Sequence, residues 1–483
     1  MSEIKKYGRR TRKKRGSNGV IYYNIGDIIK GPQSLWRVIA IIQISEPPGN
    51  KIKIRQILGA NPRLIREWFP VEEEEEIEFA GNVVEPHASV MWNAGWRPLP
   101  GRPTSDSMNA SGGKRRRKTR KKAPIKISCN FDSGNILQKS SKQIKDKNVF
   151  TLEIRKDPYP KSVKKKYQNW YYFKVDNVKG KNCKFVIENL VNIDNDWKGH
   201  NVVCTYDHKF FFRTSTNLNN NTLCWEITPK KQTIYFSYYV PYCRTRSYKL
   251  VNQISKKAGV KKKTLGYSPL RNKIEVLKFG TGNKHIFIIA RQHPGETIGS
   301  WMLEGFITTF FSPKMVKMKN RLLKKYKFHI IVLANPDGVE LGHWYTQKNG
   351  YNCNREWNTK KCPEVRMISK YMKKYDGSIY FDLHGDEGCD KHFITTCTKT
   401  KKYKDSSYRF FCKRMVEYNK NFNLKDYYTK EVHKVQGTFD CAWDNALTIE
   451  GCMKHNYNKD CVCFEPLKIG KHLFKSIYDW SFV

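Results

Sequence analysis

The sequence predicts a multidomain chain: a small N-terminal β-barrel-like module, an antiparallel β-sandwich, and an α/β domain on a mainly buried mixed sheet. Three observations lead there. At 483 residues the chain exceeds one ordinary core, so two to four packed units are expected. The first half repeats short β-branched and aromatic runs between polar turns, the pattern of strands. The second half alternates longer apolar runs with helical stretches, the pattern of a layered α/β domain. Hydrophobic residues make up 39% and aromatics 13%, enough to fill such cores although 28% of the residues are charged.

Residues 1–16 read as a disordered basic arm, carrying Lys5, Lys6, Arg9, Arg10, Arg12, Lys13, Lys14 and Arg15 with almost no apolar surface to bury. Residues 17–80 form the small β-rich module. Val20–Tyr23, Trp36–Ile42 and Lys51–Ile57 have strand character, and Gly26-Asp27 and Pro47–Gly49 turn the chain, as in a barrel of Tudor or SH3 type. Trp36, Tyr22 and Tyr23 suit either core packing or an aromatic binding patch. The acidic run Glu72–Glu76 reads as a solvated boundary or as a partner for a basic arm. Residues 81–124 are a linker in which Lys114–Lys122 follows Ser111-Gly-Gly113. That cluster fits a nucleic-acid contact, a nuclear-import signal or a solubilising spacer. In style the tract resembles proteins of large DNA viruses, which adds the virion to a cytoplasmic or nuclear location.

Residues 125–255 form the β-sandwich, with strand runs at Phe150–Ile154, Trp170–Val175, Phe185–Glu188 and Ile234–Val240. Residues 256–483 form the α/β domain. Its strands are expected at Ile274–Phe279, His285–Ala290, Phe328–Ala334 and Ile379–Leu383, and its helices at Glu296–Phe310 and Glu364–Tyr375. The last three strands are apolar enough to lie inside a covered sheet.

A net charge of +46 favours acidic partners: nucleic acid, acidic protein tails or the phosphate face of a membrane. No secretory apolar core follows Met1, and no apolar segment reaches transmembrane length. The fourteen cysteines are scattered without paired C-x-x-C clusters, so free thiols in a reducing compartment are expected. Cys461-Val-Cys463 offers two metal-capable thiols, too few for a site by themselves.

Three fragments carry the chemistry. His293-Pro-Gly-Glu296 follows an apolar strand, His384 ends Tyr-Phe-Asp-Leu-His, and Glu450 ends Ala-Leu-Thr-Ile-Glu. Together they supply two imidazoles and a carboxylate for a catalytic zinc, and a second carboxylate to activate water. By itself H-x-x-E is also what a surface histidine beside a helix-start glutamate looks like. The strand context and the downstream partners favour the metal.

Seven stretches in order, Phe131–Ile136, Tyr235–Tyr242, Ala290–Thr297, Asn335–Val339, Gly350–Trp357, Asp382–Gly385 and Leu447–Glu450, resemble the M14 metallocarboxypeptidases, especially the cytosolic carboxypeptidase branch. The resemblance covers about residues 125–465 and implies a β-sandwich ahead of an α/β catalytic domain. It makes His293, Glu296 and His384 the ligands of one Zn2+ and Glu450 the proton-transferring base. Asn354 and Arg355 match the pair that binds the substrate's terminal carboxylate. Asn352 matches a position that often holds an aspartate against the first zinc histidine. At Tyr345 the family commonly has an arginine that stabilises the oxyanion; a tyrosine offers one neutral hydrogen bond there, and Lys348 lies in the same loop. Tyr427 and Tyr428 are loose matches to a mobile substrate tyrosine. The implied function is zinc-dependent hydrolysis of C-terminal residues of proteins or peptides, with glutamate-rich acidic tails as substrates. The alternative is a weakly active or inactive protein of this fold with a nucleic-acid-binding or virion structural role.

Overall fold

A computed structural model describes residues 123–160, 167–359, 361–375, 377–397, 406–423, 432–433, 437–443, 445–454 and 464–482, with five short strands between residues 28 and 78. The chain divides into two compact units, Met1–Arg117 and Lys118–Val483.

In the first unit, Ile28–Lys30 pairs with Leu35–Arg37, and Ile42–Gln43, Lys51–Lys53 and Glu76–Glu78 form a second, three-stranded sheet. Of the acidic run, only Glu76 lies within the described residues, at the start of the last of these strands. The register of that strand sets Glu76 opposite Lys53 and Glu78 opposite Lys51. The basic arm, Val20–Tyr23, both expected turns and Lys114–Lys122 lie outside the described residues.

The second unit opens with two five-stranded sheets. One runs in the order Asn217–Asn219, Thr222–Ile227, Asn182–Ile187, Lys147–Glu153, Leu137–Ile144. The other runs Phe211–Thr214, Val202–Thr205, Thr233–Ser237, Tyr172–Asp176, Lys126–Ser128. Strict alternation builds their shared core: along Asn182–Ile187, Cys183, Phe185 and Ile187 are buried while their neighbours are not. Phe185 meets Trp225 of its own sheet at 5.3 Å and Phe236 of the other at 4.9 Å. The expected all-antiparallel arrangement needs one correction, because Lys147–Glu153 and Asn182–Ile187 are parallel. Between them the chain passes through Tyr172–Asp176 in the other sheet, so it returns in its original direction. The polar strand Leu137–Ile144 was not expected. It is exposed along its whole length, with Lys139 and Lys142 on an edge that such charges protect.

The α/β region is an eight-stranded mixed sheet. Its order is Lys261–Tyr267, Lys273–Phe279, Tyr326–Ile331, Lys284–Ala290, Ile379–Asp386, Ala446–Cys452, Phe393–Cys397, Val432–His433. The four central strands, Tyr326–Ile331 through Ala446–Cys452, are parallel, and both their faces are covered. The expected strands fall here, though the one starting near Phe328 ends at Ile331. Helix Thr297–Phe310 is buried along most of its length, and glycine makes that possible. A Cβ on Gly299 would lie 2.4 Å from the Leu383 carbonyl oxygen, and one on Gly305 would lie 2.2 Å from that of Leu467 in helix Phe464–Ser481. The helix thus lies directly on the strand that carries His384.

One cysteine expectation is overturned. Cys397 and Cys441 form a disulfide, because strand Phe393–Cys397 and the short helix Phe439–Ala442 both pack beside Ala446–Cys452. Spacing could not show a pair 44 residues apart. Among the described residues eight other cysteines, from Cys129 to Cys389, are free thiols.

Candidate metal and catalytic site

The site lies where the parallel strands end, the usual location in such sheets. After Ala290 the chain turns sharply, with Arg291 in the left-handed region at φ 65°. The buried Arg291 guanidinium holds the turn: Nε and Nη2 donate to the Pro294 carbonyl at 3.1 and 2.6 Å, and Nη1 donates to that of Tyr242 at 2.8 Å. Burial lowers its pKa to about 10, so it stays charged at neutral pH. Gly295 must be glycine, because a Cβ there would lie 2.0 Å from the ring of Trp344. This turn sets His293 and Glu296 facing His384.

Glu296 bridges the two histidines. Its Oε1 is 2.7 Å from His293 Nδ1 and its Oε2 is 2.8 Å from His384 Nδ1. The other ring nitrogens are engaged behind. His293 Nε2 lies 3.0 Å from Asn352 Oδ1, which also accepts the Asn354 N–H at 2.9 Å, and His384 Nε2 lies 2.7 Å from Asp382 Oδ2. Each rear partner is an acceptor for an Nε2–H, so a cation placed between the rings and Glu296 would find a lone pair on each Nδ1; without one, each Nδ1 faces a carboxylate oxygen that also accepts. Burial pushes the Glu296 carboxyl up, but the facing His293 and His384 outweigh it and hold it well below the carboxylate range. Burial pushes His384 down, but Asp382 and Glu296 together raise it well above its ordinary value.

The three forward-facing ligand atoms lie within 4.8 Å of one another, and all three residues are buried. Two imidazole nitrogens and one carboxylate, each braced from behind, fit a zinc ion with a coordination position left open.

Glu450 is brought to this cluster by sheet register, directly opposite His384 on the adjacent parallel strand. Its Oε2 is buried and has no hydrogen-bond partner among the described residues. Burial raises its pKa well above the ordinary value, with Glu296, Asp386 and Asp382 adding and His384 opposing. Asn354 and Arg355 sit on the 3-10 turn Cys353–Arg355. Asn354 Oδ1 accepts the Phe439 N–H at 2.8 Å, which leaves its amide donors for another acceptor, and Arg355 is exposed. Tyr345 is half-buried with its ring flat on His293, centroids 4.1 Å apart. Lys348 is exposed in the loop beyond. Tyr427, Tyr428, Cys461 and Cys463 lie outside the described residues.

Several neighbours escaped the sequence reading. Asp382 had a usable signal: it stands two residues before His384 on one strand and therefore on the same face. Gln292 had none. It donates to Asp382 at 2.5 Å and accepts the Trp357 indole N–H at 2.8 Å. Glu387 is buried nearby, with its pKa well raised by burial and by Asp196, Asp386 and Glu296. Behind Asn354, Cys353 and Cys362 bring their sulfurs to 3.0 Å, and Cys362 lies 3.0 Å from Glu364 Oε2.

A braced pair of imidazoles, a bridging carboxylate and a second carboxylate in register with one of the imidazoles, at the strand ends of an α/β sheet, define a zinc-carboxypeptidase-like site. Residues 127–239 match the model of the cytosolic carboxypeptidase N-terminal domain, and residues 249–462 match that of the zinc carboxypeptidases. The chain belongs to the M14 zinc-carboxypeptidase family and has an N-terminal domain of the cytosolic carboxypeptidase type. An uncharacterised protein of Zymomonas mobilis is 30% identical over 306 residues, covering 62% of this chain and 78% of that protein. Bovine cytosolic carboxypeptidase 3 is 25% identical over 322 residues, 58% of this chain but only 31% of that protein. The chain thus spans about a third of that carboxypeptidase. The fold is shared with a metallo-carboxypeptidase of Burkholderia cenocepacia, with a TM-score of 0.66 at 22% identity over 74% of this chain and 99% of that one. A metallo-carboxypeptidase of Pseudomonas aeruginosa, solved with (2-guanidinoethylmercapto)succinic acid, gives 0.64 at 25% identity over 73% and 98%. These relatives are bacterial and animal, and nothing in them points to a viral origin.

Proposed function

We propose that the chain is a zinc-dependent carboxypeptidase that removes C-terminal residues from proteins or peptides. One observation carries this reading: Glu450, with an oxygen that has no partner among the described residues, stands in register opposite His384, beside a cluster whose two Nδ1 atoms and carboxylate converge. His293, Glu296 and His384 would hold one zinc ion, which when bound would supply a Lewis acid and lower the pKa of water. Arg355 and the free amide of Asn354 bind the substrate's terminal carboxylate. Glu450 takes a proton from the attacking water and passes it to the leaving amine, a role its raised pKa suits. The Tyr345 hydroxyl donates to the developing oxyanion in place of the family arginine, with Lys348 as the nearby cation of that loop. A neutral donor makes this support weaker, on the order of 3 kcal/mol for the loss of a full transition-state donor.

The +46 charge supports acidic tails as the polypeptides drawn to the protein. The second reading, a weakly active protein bound to nucleic acid or a virion, rests on Tyr345 and on basic tracts outside the described residues. The cytosolic-type N-terminal domain supports a cytoplasmic or nuclear location, whereas the Cys397–Cys441 disulfide weighs against a reducing compartment. Among the described residues no helix is long and apolar enough to cross a membrane.

The test is release of terminal amino acids from a peptide library, followed by mass spectrometry, for zinc-loaded wild type and Glu450→Gln. Turnover by wild type alone supports the mechanism. Equal release by both proteins removes Glu450 from it, and release by neither favours the binding role.

A further inference from the structure

Asp157 belongs to the N-terminal sheet region, yet its carboxylate is spent on the catalytic domain. Its Oδ1 accepts the Trp344 N–H at 2.9 Å. Its Oδ2 accepts the N–H groups of Tyr345 at 2.8 Å and Thr346 at 2.9 Å, and the Thr346 hydroxyl at 3.2 Å. The residue is 6% exposed. A buried carboxylate is costly unless its lone pairs are satisfied, and four donors from three consecutive residues satisfy this one. The middle residue of the three is Tyr345. Its ring lies between His293, centroids 4.1 Å apart, and Tyr167 of the N-terminal region at 5.0 Å.

The same stretch is gripped again just upstream. Asn135 Nδ2 donates to the Gly342 carbonyl at 2.8 Å, Ser133 N donates to that of Glu340 at 3.1 Å, and Arg155 Nη2 donates to that of Leu341 at 3.2 Å. Gly342 takes φ +68°, and a Cβ there would lie 2.7 Å from the Gly134 carbonyl oxygen. These contacts bind the loop as a whole. Among the described residues, Asp157 is the group that takes the backbone N–H of the residue stacked on His293.

We propose that Asp157 is a positioning residue for the reaction, holding the Trp344–Thr346 backbone so that Tyr345 stays stacked on His293 and aimed into the site. The N-terminal region is then part of the catalytic apparatus rather than an appended module. The effect on turnover rests on the peptidase reading; the grip on the loop does not.

Two measurements on Asp157→Asn test this in the full-length protein. The amide keeps the side chain's volume, but its nitrogen cannot accept a hydrogen bond. Hydrogen exchange read by mass spectrometry should show the 344–346 amides exchanging faster by about tenfold or more, with Lys284–Ala290 and Ile379–Asp386 still protected. On a cleaved peptide, kcat/KM should fall by about 10²-fold, mostly in kcat, the cost of a misplaced catalytic group. In a Tyr345→Ala background the same substitution should cost less than about threefold, because its route to the reaction is already gone. A merely stabilising Asp157 would give penalties that multiply. Multiplying penalties, or unchanged exchange at 344–346, overturn the proposal. Should Asp157→Asn not fold, Asp157→Glu gives the same readouts, since it keeps the charge but displaces it by one methylene. Wild type that binds zinc but cleaves nothing would sink the peptidase reading, and the exchange result would still decide the grip.

Discussion

Asp382 and His384 stand on the same face of strand Ile379–Asp386, and Asp382 Oδ2 accepts the His384 Nε2–H at 2.7 Å while Asn352 Oδ1 does the same for His293 at 3.0 Å. The two histidines are thus braced by unequal partners, one charged and one neutral. A carboxylate makes the imidazole a stronger donor to a metal than an amide does. Asp382→Asn is therefore expected to weaken zinc retention by about 10- to 100-fold, while Asn352→Asp, which preserves both of its accepted bonds, should tighten it. Chelator competition on the two variants measures both shifts, and equal affinities would show that the braces only orient the rings.

Arg355→Met removes the exposed cation without touching the zinc ligands. It should raise KM for peptides with a free C-terminus and leave those with an amidated one nearly unchanged, since a charge-assisted bond to carboxylate contributes about 1.5–3 kcal/mol. Parallel kinetics on matched free and amidated peptides check this. The same KM change on both would place the carboxylate elsewhere.

Helix Phe439–Ala442 carries both Cys441 and the Phe439 N–H that Asn354 accepts, so the disulfide steadies at one remove the residue proposed to bind the substrate carboxylate. Cys441→Ser is expected to lower stability by about 2–4 kcal/mol and to raise KM more than it lowers kcat. Thermal melting and steady-state kinetics, each with and without reductant, test it: reductant should reproduce both effects in wild type and change nothing in the variant.

His329 is buried, with Nδ1 2.7 Å from the Tyr371 hydroxyl and its ring stacked on Phe287 at 4.3 Å. Burial, helped by His285, Lys278 and Lys327, lowers its pKa to about 3. Between that value and the ordinary 6.5 the unfolded chain binds a proton that the folded chain refuses. Stability from this group is complete above about pH 6.5 and is lost as pH falls toward 3, at up to about 1.4 kcal/mol per pH unit. Urea unfolding at pH 7, 5 and 4 should show a shallower acid loss for His329→Gln than for wild type.

How much of this was legible depended on whether a signal was local. The apolar strand at His285–Ala290, the His293-Pro-Gly-Glu296 turn and the run ending in His384 each lie within about a dozen residues, and period and residue type were enough to place them. Asp382 was also readable, since strand alternation puts it beside His384. The parallel pair Lys147–Glu153 and Asn182–Ile187 was not, because direction depends on a detour through another sheet. Gln292 and Arg291 offered no pattern either; their roles come from carbonyls and rings that other segments deliver.

The sequence by itself determined the residue types the chemistry needs, two imidazoles and two carboxylates, and the strand ends on which they ride. Only the tertiary structure decided which nitrogen of His293 faces forward, because its rear acceptor, Asn352, comes from a segment 59 residues away. It also decided that Glu450 stands opposite His384 through parallel register, and that Asp157, 188 residues from Tyr345, holds that residue's backbone. Hydrogen-bond geometry is a property of atoms brought together by packing, and no spacing along the chain encodes it.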